Sequence, residues 1–212
     1  MRIMILGAAG EIGRMVTANL LEQTDFDLTL YGRNVTSRLA SISDSRVKLV
    51  DGTFEDTATI QANLSDVDAV YLNFVAEDPI IKSLLKIMEE AGVKRFILAS
   101  VPDLYEEVTG NFQKWYRAGM GKIWQSKLRT AADLVEASDL DYMILRITWL
   151  YNQAGNTAVH VTRKGEPFTE AQVTRQAVSQ FVTDLLTGKA DYHRESLGVG
   201  EPGTDYAKPS FY

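Results

Sequence analysis

Two hydrophobic patterns alternate along the chain. Short apolar runs rich in β-branched residues recur at 2–6, 27–31, 47–50, 69–73, 95–99 and 141–146, as expected of strands buried on both faces. Apolar residues at helical spacing lie between them. In the stretch opened by Asp78-Pro79, residues Ile80, Ile81, Leu84, Leu85, Ile87 and Met88 share one broad face; proline holds the first helical position and Gly92 follows the last turn. Leu128, Ala131, Ala132 and Val135 predict a further helix over about 125–137, with Lys127 near its start. The alternation predicts an α/β fold: a doubly wound parallel sheet with crossover helices on both faces. After Arg146 the pattern loosens at Gly155, Gly165 and Pro167. A last helix is expected over about 175–186, and 198–212, with three glycines and two prolines, reads as an extended tail.

The first strand runs directly into Gly7-Ala8-Ala9-Gly10-Glu11-Ile12-Gly13, and Met15, Val16, Leu20 and Leu21 continue as a helical stripe. Glycine permits the sharp turn, the approach of a pyrophosphate to the main chain, and close helix–strand packing. The helix start offers unpaired N–H groups and a positive dipole end. Gly7, Ala9, Gly10, Glu11, Ile12 and Gly13 are therefore candidate dinucleotide-binding residues. About twenty residues on, the second strand ends Leu30-Tyr31-Gly32-Arg33-Asn34. A carboxylate here would hold the adenosine ribose of NAD, whereas Arg33 attracts the 2′-phosphate of NADP. NADP is the expected cofactor and NAD the alternative, with Arg14 and Arg38 as helpers.

Length and composition narrow the remaining chemistry. At 212 residues the chain suits one domain, read as a nucleotide-binding core over 1–150 and a substrate-side appendage and tail over 151–212. With no cysteine, disulfides, thiolate metal sites and a cysteine nucleophile are excluded. His160 and His193 follow no zinc-ligand spacing, so no metal is expected. A net charge of −6 without a lysine-rich run argues against a nucleic-acid partner. The first apolar run is too short for a signal peptide, and no stretch approaches a membrane span. A cytoplasmic protein is expected. Glu106-Glu107 are adjacent and would not converge on one reacting atom, which disfavours a paired-carboxylate hydrolase.

The Gly7-x-x-Gly10-x-x-Gly13 spacing resembles that of atypical short-chain dehydrogenase/reductases, especially NmrA-like and flavin-reductase-like NAD(P)-binding proteins. Asp51-Gly52-Thr53-Phe54-Glu55-Asp56, Asp68-Ala69-Val70-Tyr71, Ala99-Ser100 and Leu140-Asp141-Tyr142-Met143-Ile144-Leu145-Arg146 add to the likeness in the same order. The resemblance implies that Thr53 and Phe54 flank the adenine, although aspartate is common in the family where Thr53 stands. It places Asn73, Phe74 and Val75 along the ribose and phosphates. Ser100 would lie beside the nicotinamide, and Ile147, Thr148 and Trp149 would border the nicotinamide or substrate pocket.

One departure concerns chemistry. Active members carry a tyrosine four residues before a lysine on one helix, where the lysine lowers the tyrosine's pKa for proton transfer. Lys127 fits the lysine, but Ile123 stands at the tyrosine position. Neither Tyr105 nor Tyr116 has the spacing. Ser100 and Lys127 remain the candidate catalytic residues, with Ser100 either orienting an acceptor or satisfying neighbouring backbone. Trp149-Leu150-Tyr151 is either an aromatic wall or packing; Trp115, Tyr116 and Trp124 either cap the pocket or bury a helix. The leading expectation is an NADP-dependent oxidoreductase delivering hydride to a small, planar acceptor: a flavin, quinone or carbonyl. A non-catalytic NADP-binding redox sensor is the alternative, and a sugar epimerase or dehydratase a weaker one.

Overall fold

The computed structural model describes residues 1–212. The predicted strands are β1 (Arg2–Leu6), β2 (Asp27–Gly32), β3 (Val47–Asp51), β4 (Ala69–Leu72), β5 (Arg95–Ser100) and β6 (Asp141–Ile147). All pair in parallel, in the order β3-β2-β1-β4-β5-β6. The chain starts in the middle, builds outward to β3, then crosses to β4 on the other side of β1. The loops after β1 and β4 therefore diverge, opening a crevice at the carboxyl ends of the strands.

The helices cover both faces, as the uninterrupted apolar runs require. On one face α1 (Glu11–Gln23), α2 (Val35–Arg38) and α7 (Arg175–Thr187) bury Val16, Leu20, Val35, Val178 and Val182 against Ile3, Ile5, Leu28 and Leu30. On the other, α3 (Thr57–Ala62), α4 (Asp78–Ala91) and α6 (Lys127–Glu136) bury Ile60, Leu84, Met88 and Val135 against Met4, Leu6, Val70 and Phe96. The period of two along β1 sends Ile3 and Ile5 one way, Met4 and Leu6 the other. Between β5 and α6 lies the short helix α5 (Gln113–Met120). No helix is long and apolar enough to cross a membrane.

The expected tail at 198–212 is corrected. Three of its residues, Gly198, Val199 and Gly200, belong to the strand Glu195–Gly200, which is parallel to β6 and buried from Ser196 onward. With β7 (Trp149–Tyr151), β8 (His160–Thr162) and β9 (Gln172–Thr174) preceding it, this strand is β10. β8 closes the sheet as an antiparallel edge, while β7 and β9 pair apart from it. The glycines of β10 serve close approach: a Cβ on Gly198 would stand 2.3 Å from Thr162 Oγ1 and 2.6 Å from Phe168 Cδ2. Residues beyond 150 thus complete the sheet, and α7 covers one of its faces. Gly198→Ala is expected to lower stability by about 1–3 kcal/mol through overpacking, read as a shift of the denaturant midpoint at constant slope.

At the opposite end of the strands, His193 bridges the segment after α7 to β6. Its Nδ1 lies 2.9 Å from Asp141 Oδ2 and its Nε2 3.1 Å from Asp191 Oδ1. The Asp141 contact raises the His193 pKa above 6.5, with Arg95 opposing. Because the folded value lies above the unfolded one, this stabilisation is complete below the unfolded pKa and disappears as pH rises through the folded value. A proton-NMR titration should place the His193 midpoint above 6.5, and His193→Gln should flatten stability across that interval.

Candidate functional site

The crevice is built first by the turn after β1. Gly7 has φ +83°, and a Cβ there would lie 3.0 Å from the Asn73 carbonyl oxygen. Gly10 caps α1 without a side-chain hydrogen bond, so the N–H groups of the first turn remain available to an anion. A Cβ on Gly10 would stand 2.9 Å from Asn73 Nδ2. Gly13 serves packing instead. A Cβ there would meet the Ala8 carbonyl at 2.8 Å, so glycine lets the helix sit down on the turn. Asn73 braces this corner, its amide donating to the Gly7 carbonyl at 3.2 Å and accepting from the Tyr71 hydroxyl at 3.1 Å. Arg14 and Arg38 both donate to the Ala9 carbonyl, at 3.0 and 2.9 Å.

Two cavities meet at Asn73 and Phe74. The polar one, about 420 Å³, is lined by the predicted Gly7, Ala9, Gly10, Arg33, Thr53, Phe54, Asn73 and Phe74, together with Gly32, Arg38, Gly52, Glu55 and Ile80. The apolar one, about 520 Å³, gathers the expected Ile12, Val75, Ser100, Ile147, Thr148 and Trp149, includes Tyr116 and Leu150 from the aromatic candidates, and adds Val101, Pro102 and Met120 among others. Glu11, Gly13 and Lys127 line neither. The Glu11 carboxylate instead takes Arg175 at 2.9 Å and the Asn152 amide at 3.4 Å.

Beside Gly32 of the polar cavity, Tyr31 is fully buried in β2. Its hydroxyl donates to the Thr53 carbonyl at 2.7 Å, and burial, with Asp56 and Glu55 nearby, pushes its pKa up to about 12. Gly52 is required beneath it, since a Cβ would fall 2.1 Å from the Tyr31 oxygen. Tyr31 thereby fixes the loop carrying Thr53 and Phe54, and Phe54 stacks on Phe74 at 4.8 Å. Exposed Arg33 shares the cavity with Glu55, whose carboxyl is held below its usual range first by the Thr53 hydroxyl and in part by Arg33. Sequence reasoning missed Glu55 because charges four residues into a loop have no register.

The apolar cavity contains no charged side chain. Ser100 ends β5 there, largely buried. Tyr116 is fully buried, its hydroxyl donating to the Pro102 carbonyl at 2.7 Å, and burial with Asp103 and Glu107 nearby drives its pKa upward. Trp115 and Tyr116 pack against Trp149 at 4.9 and 5.4 Å, while Trp124 lies away under Arg117 at 4.5 Å. The expected helix from 125 is shorter. Ile123–Gln125 is a separate 3-10 turn, and Ser126 caps α6 by accepting from Leu128 N–H at 3.2 Å. Ile123 and Lys127 therefore share no helical face. Lys127 is two-thirds exposed and pairs with Glu77 at 3.6 Å, so it is not brought together with Ser100.

An open helix N-terminus beneath a glycine turn, at the crossing point of a parallel sheet, defines a Rossmann-type dinucleotide-binding protein. The chain belongs to the NAD(P)H-binding family, whose model matches residues 7–189. It is similar over its whole length to a short-chain dehydrogenase/reductase (wide type) from Veillonella parvula DSM 2008, solved in complex with NADP; the two are 34% identical, with 99% of each chain covered and a TM-score of 0.92. A Rossmann-fold NAD(P)-binding family protein from Shigella flexneri is 28% identical, covering 100% of this chain and 98% of that one, with a TM-score of 0.81. Among curated proteins, a probable pinoresinol-lariciresinol reductase 3 from Arabidopsis thaliana is 28% identical over 145 residues, 66% of this chain and 45% of that protein. The match thus spans less than half of that relative. If the polar cavity receives a 2′-phosphate, Glu55→Gln should tighten NADPH binding about threefold, within the range of an exposed charge pair, without a matching gain for NADH in calorimetric titration.

Proposed function

We propose that this protein is an NADP-dependent oxidoreductase of atypical short-chain type, acting on a small, planar and uncharged acceptor. The observation that carries the reading is the shared boundary at Asn73 and Phe74: an arginine-bearing polar cavity opens directly into an apolar one containing Ser100. The polar half fits the adenosine end of a dinucleotide, with Arg33 and Arg38 toward the 2′-phosphate and Phe54 beside the adenine. The bare backbone at Gly7 and Gly10 and the free N–H groups of α1 fit the pyrophosphate. The Veillonella relative's NADP complex supports the same choice. Bound NADPH would supply a hydride from its nicotinamide.

The chain's own residues then constrain the acceptor. Ser100 can donate a hydrogen bond to an acceptor oxygen or nitrogen. Tyr116 remains protonated and committed to Pro102. With Ile123 buried and Lys127 turned to Glu77, no acid–base pair reaches the cavity. Flavins and quinones, which draw the proton from solvent after hydride arrives, fit this wall better than carbonyls. The displacement of Lys127 also favours a second reading, an NADP-binding sensor without turnover.

Arg33→Ala should weaken NADPH roughly tenfold, as expected for loss of one charged hydrogen bond, while leaving NADH nearly unchanged in fluorescence titration. Equal affinity of the unaltered protein for both nucleotides would overturn the arginine assignment. NADPH oxidation across flavins, quinones and aldehydes decides between the readings: steady turnover with any acceptor supports the reductase, and tight NADPH binding without turnover supports the sensor.

A further inference from the structure

Five large apolar side chains of this protein are exposed: Met1, Phe74, Tyr206, Phe211 and Tyr212. One of them, Phe74, lines the apolar cavity, and two are linked to it through Trp149. Tyr212, 62% exposed, lies 5.3 Å from Trp115, and its hydroxyl accepts the Trp149 indole N–H at 3.3 Å. Phe211 follows at 5.4 Å from Tyr212 and 5.6 Å from Tyr151. Trp149 itself lines the cavity, so a chain of aromatic contacts leads from the cavity wall through Tyr212 to Phe211.

The segment that presents these rings is anchored. Ser210 N–H donates to Gln172 Oε1 at 2.8 Å, and Pro209 beside it is buried. The Trp149 donor is already satisfied by Tyr212, which leaves ring surface rather than a polar atom toward a ligand. Of the other polar side chains in the cavity, Thr148 spends its hydroxyl on the Glu170 carbonyl at 3.0 Å. Exposed aromatic surface linked through Trp149 to an uncharged cavity is what a ligand with its own aromatic surface would cover.

We propose that Trp149, Tyr212 and Phe211 form a distal stacking subsite. The acceptor would then be an uncharged molecule whose second aromatic ring lies beyond the ring that is reduced. This rests on the reading of the apolar cavity as the acceptor site. Offset or edge-to-face contact with these rings selects such a molecule over a single-ring analogue. Reduction of a quinone within the site balances as hydride from NADPH plus one proton from solvent, giving the hydroquinone and NADP⁺.

The test compares 1,4-benzoquinone with 2-phenyl-1,4-benzoquinone, which share the reducible ring. The unaltered protein should show a KM about tenfold lower for the phenyl compound, and Tyr212→Ala should abolish that ratio while Tyr212→Phe retains it. Calorimetric titration of the NADP-loaded protein with each quinone gives the same comparison without turnover. Preferential binding lost in Tyr212→Ala, in a protein that oxidises no NADPH, would uphold the subsite and defeat the reductase reading. An unchanged ratio in Tyr212→Ala, or no binding of either quinone, overturns the subsite. So does a stable dimer that Tyr212→Ala dissociates in sedimentation, since the patch would then be a contact between copies.

Discussion

The corner where Asn73 meets the glycine turn sets the geometry of the crevice. Asn73 N–H donates to Leu6, its amide donates to Gly7, and Tyr71 steadies the amide from behind. These bonds pull the loop after β4 against the loop after β1 until a Cβ at position 7 would crowd the Asn73 carbonyl and one at position 10 the Asn73 amide. Part of the glycine pattern therefore answers to protein against protein, before any ligand enters. The same contact makes Asn73 common to both cavities, so one brace stands at the boundary between the polar and the apolar one.

The loop after β5, which borders the apolar cavity, is held by charge instead. Arg146, fully buried in β6, donates to the Glu107 carboxylate and, at 3.2 Å each, to the Thr162 and Ser196 carbonyls. Glu107 also accepts the N–H groups of Asp103 and Tyr105, and Asp103 accepts from Arg117 and Val108. These carboxylates keep the loop after β5 in a conformation with positive φ at Asp103 and Glu106, a backbone cost that residues other than glycine rarely bear unaided. Breaking a buried pair by removing one partner costs about 3–5 kcal/mol, ample to hold such a loop. The result is a fixed Pro102 carbonyl, to which Tyr116 and hence the cavity floor are tied.

What could be read from the sequence follows the range of the interactions. The strands from β1 to β6, the helix opened by Asp78-Pro79 and the glycine turn are written in neighbouring residues, and all appear in the structure. Gly198 and Gly200 misled because a glycine that admits Thr162, Phe168 or Glu170 is the same letter as one that loosens a tail. The start of α6 was expected at about 125 and lies at Lys127, because Ser126 caps the helix there. That signal was present, since serine before a helical stripe is a common N-cap. The aromatic rim was beyond reach, because Trp115, Trp149 and Tyr212 meet only through the tertiary fold.

The crevice consequently divides its selectivity between two kinds of force. Arg33 and Arg38 give the polar end a local positive field despite the chain's net charge of −6, and Glu55 moderates it. Such a field discriminates by charge and weakens with salt. The apolar end offers no charged group, and its hydroxyls at Thr148 and Tyr116 are occupied. Apart from the Ser100 hydroxyl, that cavity offers a ligand shape and ring surface. Under the proposed reductase reading, such a site is strict about its nucleotide and lenient about the polar decoration of its acceptor, because a missing acceptor hydroxyl leaves few buried protein groups unpaired.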